Sequence, residues 1–177
     1  MTPEFSRPVR VDTLSATPRE LSIGANEEER SALAKRFNLP GIESLSAEAS
    51  VTRSGEEVRA SGTLKASVTQ SCVATGEPVP AEVEEEFRIV FRPHPQGVSD
   101  EEEIELSGGE LDVVFYDGAA VDVGEAVAET LSLSLDPYPR APEAETVLKE
   151  AGVKSEDEVA PASALAGLKD LLAGKKG

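Results

Sequence analysis

The chain has no tryptophan, one cysteine, one histidine and one methionine, and only 4% of it is aromatic. Each shortage excludes something. One cysteine cannot close an internal disulfide, so nothing asks for an oxidising compartment. A single Cys and a single His fall short of the four N or S ligands of a zinc site, unless subunits share one. The same two residues lie in the loop and just beyond the end of one hairpin and leave a pair open, but no third group is indicated to orient them. No Gly-rich phosphate loop follows a strand, and no apolar run reaches the length needed to cross a bilayer. The opening residues, MTPEFSRPVRV, lack the charged-then-apolar pattern of a secretion signal. These absences lead us to expect a cytoplasmic protein that is not an enzyme, with no cofactor, no metal and no membrane partner.

Positive charge is also scarce. Against 34 acids stand 17 bases, a formal net charge of −17. Such a chain repels phosphate, so DNA is not an expected partner and binding to naked RNA should be weak. Basic proteins are compatible with it, although acidity that only maintains solubility is the plainer reading.

What is present centres on residues 64–93. Leu64, Ala66 and Val68 alternate with Lys65, Ser67 and Thr69. After a Gly- and Pro-containing stretch, Val79, Ala81, Val83, Phe87, Ile89 and Phe91 alternate with Glu82, Glu84, Glu86, Arg88 and Arg92. A period of two marks strands with one face buried, and Gly76 and Pro78 supply the turn. The region reads as a long hairpin with Cys72 in its loop. Cys72 itself reads as a small packing residue, because no basic neighbour would activate its thiol. His94, between two prolines, reads as an exposed loop residue.

Phe5, Val9 and Val11 predict a first strand, with Pro8 suiting a sheet edge. Leu21 and Ile23 predict a second. Asn26, with Glu29 three residues on, predicts a helix start with a capping box, and Asn38 and Pro40-Gly41 predict its end. Leu45, Ala47, Ala49 and Val51 form another alternating arm, joined by Ser54-Gly55-Glu56 to Val58, Ala60 and the hairpin. Three sequential strands with short connections predict an antiparallel meander. Leu111, Val113 and Phe115 add a short strand. Asp122 and Glu125 predict a second capping box, opening a helix with Val123, Val127 and Leu131 on its apolar face. Residues 131–135 read equally as helix or strand.

The fold class expected is therefore α+β: an antiparallel sheet of long strands, two helices packed on it, and a flexible C-terminal helical tail. Residues 1–138 would form the domain, 139–161 a charged flexible linker, and 162–173 a short helix with Leu165, Leu168 and Leu172 on one side.

Three segments resemble the YceD family, bacterial factors for accumulation of large-subunit ribosomal RNA. SCVATGEPVPAEVEEEFRIVFRP is similar to the family's cysteine-containing knuckle and following strand. VDVGEAVAETLSLSLDPYP is similar to its acidic stretch, helix and Leu-x-Leu-Pro ending. PASALAGLK is similar to its C-terminal motif. Thr75 stands where many members have a second cysteine, and Ala162 stands at the motif's aromatic position. The resemblance implies a factor in large-subunit assembly that works through a basic ribosomal protein or a precursor particle. It implies interaction positions at Cys72, Glu129, Leu131, Leu133, Pro137, Pro161, Leu165, Leu168 and Lys169. The alternative is an acidic module that binds a small molecule or peptide and has no ribosomal role. A sizeable pocket with converging polar groups would favour the alternative.

Overall fold

A computed structural model describes residues 3–94 and 112–153. The organising hairpin is the longest pairing in it. Strand β4, Glu57–Ser71, runs antiparallel to β5, Pro78–Pro93, from the pair Val58↔Phe91 to the pair Ser71↔Pro78. Strand β3, Gly41–Ser54, lies on the other side of β4, and β2, Arg19–Gly24, pairs with β3. These four strands are antiparallel; β3, β4 and β5 form the meander that their short connections predict, and β2 reaches β3 through a helical connection. One face of the sheet buries Leu45, Ala47, Ala49 and Val51 of β3 and Val58, Ala60, Leu64, Ala66 and Val68 of β4. Phe87, Ile89 and Phe91 of β5 complete that face.

Gly62 interrupts the apolar set of β4 for a steric reason. A Cβ there would lie 2.0 Å from the Glu48 carbonyl oxygen on the neighbouring strand. Only glycine permits that approach.

Helix α1, Glu27–Arg36, packs against β3 and buries Leu33 and Ala34. Its capping box is complete. Asn26 Oδ1 accepts from the Glu29 amide at 3.0 Å, and Glu29 Oε2 accepts from the Asn26 amide at 2.8 Å. Asn38 ends it with φ 54°, the left-handed conformation that asparagine tolerates.

Four expectations need correction. The first strand, β1 (Pro8–Arg10), is an edge strand, as Pro8 suits, but it lies outside the main sheet. It pairs instead with a strand not foreseen, β7 (Ala120–Asp122), in a separate two-stranded ribbon. Strand β6, Asp112–Tyr116, joins β5 in parallel, not antiparallel as the rest of the sheet. On β6 it is Val114 and Tyr116 that pack on the core, not Val113 and Phe115. Finally, the described part of the expected linker holds a short helix, α3 (Ala144–Glu150), so three helices stand among the described residues where two were expected. The expected C-terminal helix and its four motif positions, Pro161, Leu165, Leu168 and Lys169, lie outside the described residues, as does Leu111.

Helix α2, Val123–Ser134, lies against β4, β5 and β1. Its ambiguous end, residues 131–135, is helical through Ser134, and Leu135 is extended. Only half of its predicted capping box forms. Asp122 accepts from the Glu125 amide at 3.1 Å, while Glu125 turns away to Arg36. The Asp122 carboxylate also holds the N-terminal segment, accepting from the Arg7 amide at 2.7 Å and the Ser6 hydroxyl at 2.5 Å. Among the described residues no helix is long and apolar enough to cross a membrane.

Candidate interaction site: a strapped hairpin loop and a divided sheet face

The loop between β4 and β5 is closed by its own backbone. The Cys72 amide donates to the Glu77 carbonyl at 2.8 Å, and the Gly76 amide donates to the Cys72 carbonyl at 2.9 Å. Gly76 has φ 76°, which its lack of a side chain makes cheap. The segment leaving α2 then crosses this loop as a strap. Buried Gln70 donates through Nε2 to the Asp136 carbonyl at 2.8 Å, and the Val73 amide donates to the Pro139 carbonyl at 2.9 Å. Beneath the strap, Cys72, Ala141 and Ala144 form a second small core with Ala74 and Val79 beside it. Small side chains let the strap lie this close.

Cys72 is buried, as its packing role predicts, but its surroundings are not inert. The Ala141 amide donates to its sulfur, followed in effect by the Thr75 hydroxyl and the Ala74 and Thr75 amides. Burial opposes them, yet the thiol is drawn down from 9.0 to about 7. The expectation looked for charged neighbours, and the donors turn out to be backbone amides that residue types do not advertise. The Thr75 hydroxyl also lies 3.0 Å from Glu77 Oε2, so its single proton is shared between two acceptors.

The other described motif positions divide by burial. Leu131 is fully buried in the main core, facing the sheet with Val123 and Val127. Leu133 is 81% exposed, and Glu129 and Pro137 are also at the surface. Partial burial holds the Glu129 carboxyl above its usual range, with Glu125 adding repulsion and Arg36 opposing both. Glu125 is in turn engaged by Arg36 at 2.8 Å, and Arg36 also bridges to Glu4 at 2.9 Å. Thus the structure joins Cys72 and Pro137 through the strap and places Glu129 and Leu133 on the exposed side of α2. Leu131 is a core residue.

The face of the sheet turned away from the helices carries the charge. Toward the strapped loop it is acidic, with Glu43, Glu48, Glu82, Glu84 and Glu86 on it. Hydroxyls pin several of these carboxylates. Ser67 donates to Glu82 at 2.6 Å, Ser22 to Glu48 at 2.6 Å and Thr69 to Glu43 at 2.9 Å. Lys65 is the one base among them, 3.0 Å from Glu84. At the opposite end of the same face stand Arg59, Arg88 and Arg92. Strand alternation predicts this face. The separation of its two signs depends on register, which brings Arg59 and Arg88 together from the two arms of the hairpin.

The larger depressions are open and polar. One, of about 910 Å³, lies beside α1 and is lined by Glu4, Glu27, Glu28, Ser31, Lys35 and Arg36 with Ala32. It offers no enclosed apolar chamber of the kind small-molecule sites use.

Comparison with known proteins places these features. A family model described as "Large ribosomal RNA subunit accumulation protein YceD" matches residues 60–172, more than half of the chain. The match begins in β4 and takes in the hairpin loop, the strap and α2, leaving β1 to β3 and α1 before it. No curated protein and no solved structure matches the chain.

Proposed function

The chain belongs to the YceD family, and we propose that it is a non-enzymatic cytoplasmic factor that supports accumulation of large-subunit ribosomal RNA by docking a basic ribosomal protein, free or on a precursor particle. The family match carries this reading. The acidic half of the open sheet face supports the choice of partner. Three of its five carboxylates, Glu43, Glu48 and Glu82, are fixed by serine and threonine hydroxyls on the sheet, so less side-chain entropy is lost when lysines and arginines of a partner meet them. Complementary charge at this density raises the association rate more than the affinity, and salt weakens it. Leu133 and Pro137, exposed at the end of α2, supply apolar contact that salt does not weaken.

The test is capture from cell lysate with the tagged full-length chain, identifying both protein and RNA. Large-subunit ribosomal proteins should be enriched, and the triple variant Glu82→Gln, Glu84→Gln, Glu86→Gln should lose them. If an unrelated protein of equal negative charge captures the same set, the reading fails.

A further inference from the structure

The basic end of the open face runs against the charge of the rest of the chain. Arg59 of β4 and Arg88 and Arg92 of β5 lie on neighbouring strands, Arg88 opposite Ser61 and Arg59 opposite Val90. At a strand spacing of about 4.8 Å and a rise of about 3.3 Å per residue, the three guanidiniums spring from a patch roughly 5 by 13 Å. One carboxylate serves two of them. Glu57 lies 2.6 Å from Arg59 Nη2 and 3.1 Å from Arg92 Nε. Burial opposes its ionisation, but the two arginines together hold its carboxyl below the usual range. Glu57 therefore fixes both side chains and neutralises only one charge. Arg88 has no ion-pair partner among the described residues.

Between the arginines runs a groove of about 200 Å³ lined by Arg59, Arg88, Ser50, Thr52 and Ser61 with Ala60 and Ile89. It offers two guanidinium forks and the hydroxyls of Thr52 and Ser61, the Ser50 proton being given to Glu20. The acids that border it are Glu86, two residues from Arg88 along β5, and Glu20, held by the Ser50 hydroxyl at 2.8 Å. On the next strand, opposite Arg92, stands Phe115, 36% exposed, with the His94 ring stacked on it at 5.2 Å between centroids.

We infer that this end of the sheet binds a short run of single-stranded RNA, with Arg59, Arg88 and the groove hydroxyls on the phosphates and the Phe115–His94 pair as a platform for one base. Guanidinium forks and hydroxyls match phosphate oxygens, and stacking tolerates any base. A duplex would need a longer basic track than this patch gives, and the acidic half next to it would repel the second strand. The net charge of −17 limits affinity and confines contact to this patch. The inference rests on the ribosomal reading above and deepens it: basic protein at one end of the face, exposed RNA at the other.

The test uses the full-length chain and a fluorescent oligouridine, with anisotropy read at 50 and 200 mM salt. Two phosphates neutralised by Arg59 and Arg88 on a single strand give a log–log salt slope of about −1.4, so affinity should fall about sevenfold between these concentrations. Arg59→Glu with Arg88→Glu should cost at least tenfold in affinity at 50 mM salt. Lys35→Glu with Lys149→Glu, the same change in net charge made on α1 and α3, should leave binding within about twofold. Arg88→Gln, which removes one charge and adds no acid, should show an intermediate loss if the double variant folds poorly. The inference is overturned if the wild type does not saturate, if both double variants lose equally, or if neither loses. Capture of ribosomal proteins by the acidic half would survive any of these outcomes, so the two readings fail separately.

Discussion

Replacing Leu131 by alanine separates a structural reading of the Leu-x-Leu-Pro segment from an interaction reading. Leu131 has no exposed surface and sits where α2 meets β4 and β5. The substitution removes three carbons, and at ~0.8 kcal/mol per buried carbon it forfeits roughly 2.5 kcal/mol of transfer free energy. A rigid sheet on one side and a capped helix on the other limit collapse, so a residual cavity should raise the cost to about 3–4 kcal/mol. Domains of this size are stable by about 5–15 kcal/mol, and each kcal/mol moves the midpoint about 3 °C. A differential scanning melt should therefore fall by about 10 °C. Leu133→Ala, two residues on but 81% exposed, should move it by less than about 2 °C. In the lysate assay the order should reverse at a temperature where both variants are folded: Leu133→Ala loses partner, and Leu131→Ala keeps it. A Leu131→Ala protein that melts like the wild type and fails in capture would refute the assignment, because the side chain would then be a contact and not a core residue.

Two further outcomes follow from close approaches in the fold. Gly124→Ala should destabilise by about 1–2 kcal/mol in urea titration, although alanine gains about 1 kcal/mol of helix propensity. The added Cβ would stand 2.4 Å from the Phe5 carbonyl oxygen and 2.8 Å from the Arg7 nitrogen, both backbone atoms; a rise in stability would show that the N-terminal segment is not held there. Cys72 has a folded-state thiol drawn down to about 7 from 9.0, so it contributes stability that is present above pH 9 and lost as pH falls through 7. The melting gap between wild type and Cys72→Ala should widen from pH 7 to pH 9, and a gap that is flat or narrows would mean that the strap amides do not face the sulfur.

The parts of this fold that sequence reveals are those where one interaction decides the outcome locally. Alternation in residues 41–93 needs only a solvent on one side, so the three long strands and their turns are readable. The cap of α1 is readable because Asn26 and Glu29 satisfy each other within one turn. Asp122 and Glu125 present the same spacing, and the box half fails. There Arg36, which lies 89 positions away, takes the Glu125 carboxylate that would have accepted from the Asp122 amide. The ribbon of β1 with β7 and the parallel docking of β6 are decided by partners more than a hundred and more than twenty residues away, respectively. The helix in residues 144–150 is short and charged, and what settles it is the small core under the strap, where Ala141 and Ala144 meet Cys72 and carry no hydrophobic period.

The same distinction explains the site. Counting charge over the whole chain averages a face that the structure divides. Sequence shows Arg88 just after Glu84, Glu85 and Glu86, and Arg59 near Glu56 and Glu57, so these two arginines look screened in their own neighbourhoods. Strand pairing re-sorts them. Alternation puts Glu85 on the opposite face from Arg88, register sets Ser61 across from Arg88, and Glu57 is drawn between two guanidiniums it can only half neutralise. A net charge of −17 bounds the long-range field, which salt screens within about 8 Å at physiological ionic strength. Contacts shorter than that are governed by which side chains share a face. Repulsion at a distance and attraction at the patch are therefore compatible, and together they favour a partner that presents a few accessible phosphates beside basic protein over one that presents a long bare duplex.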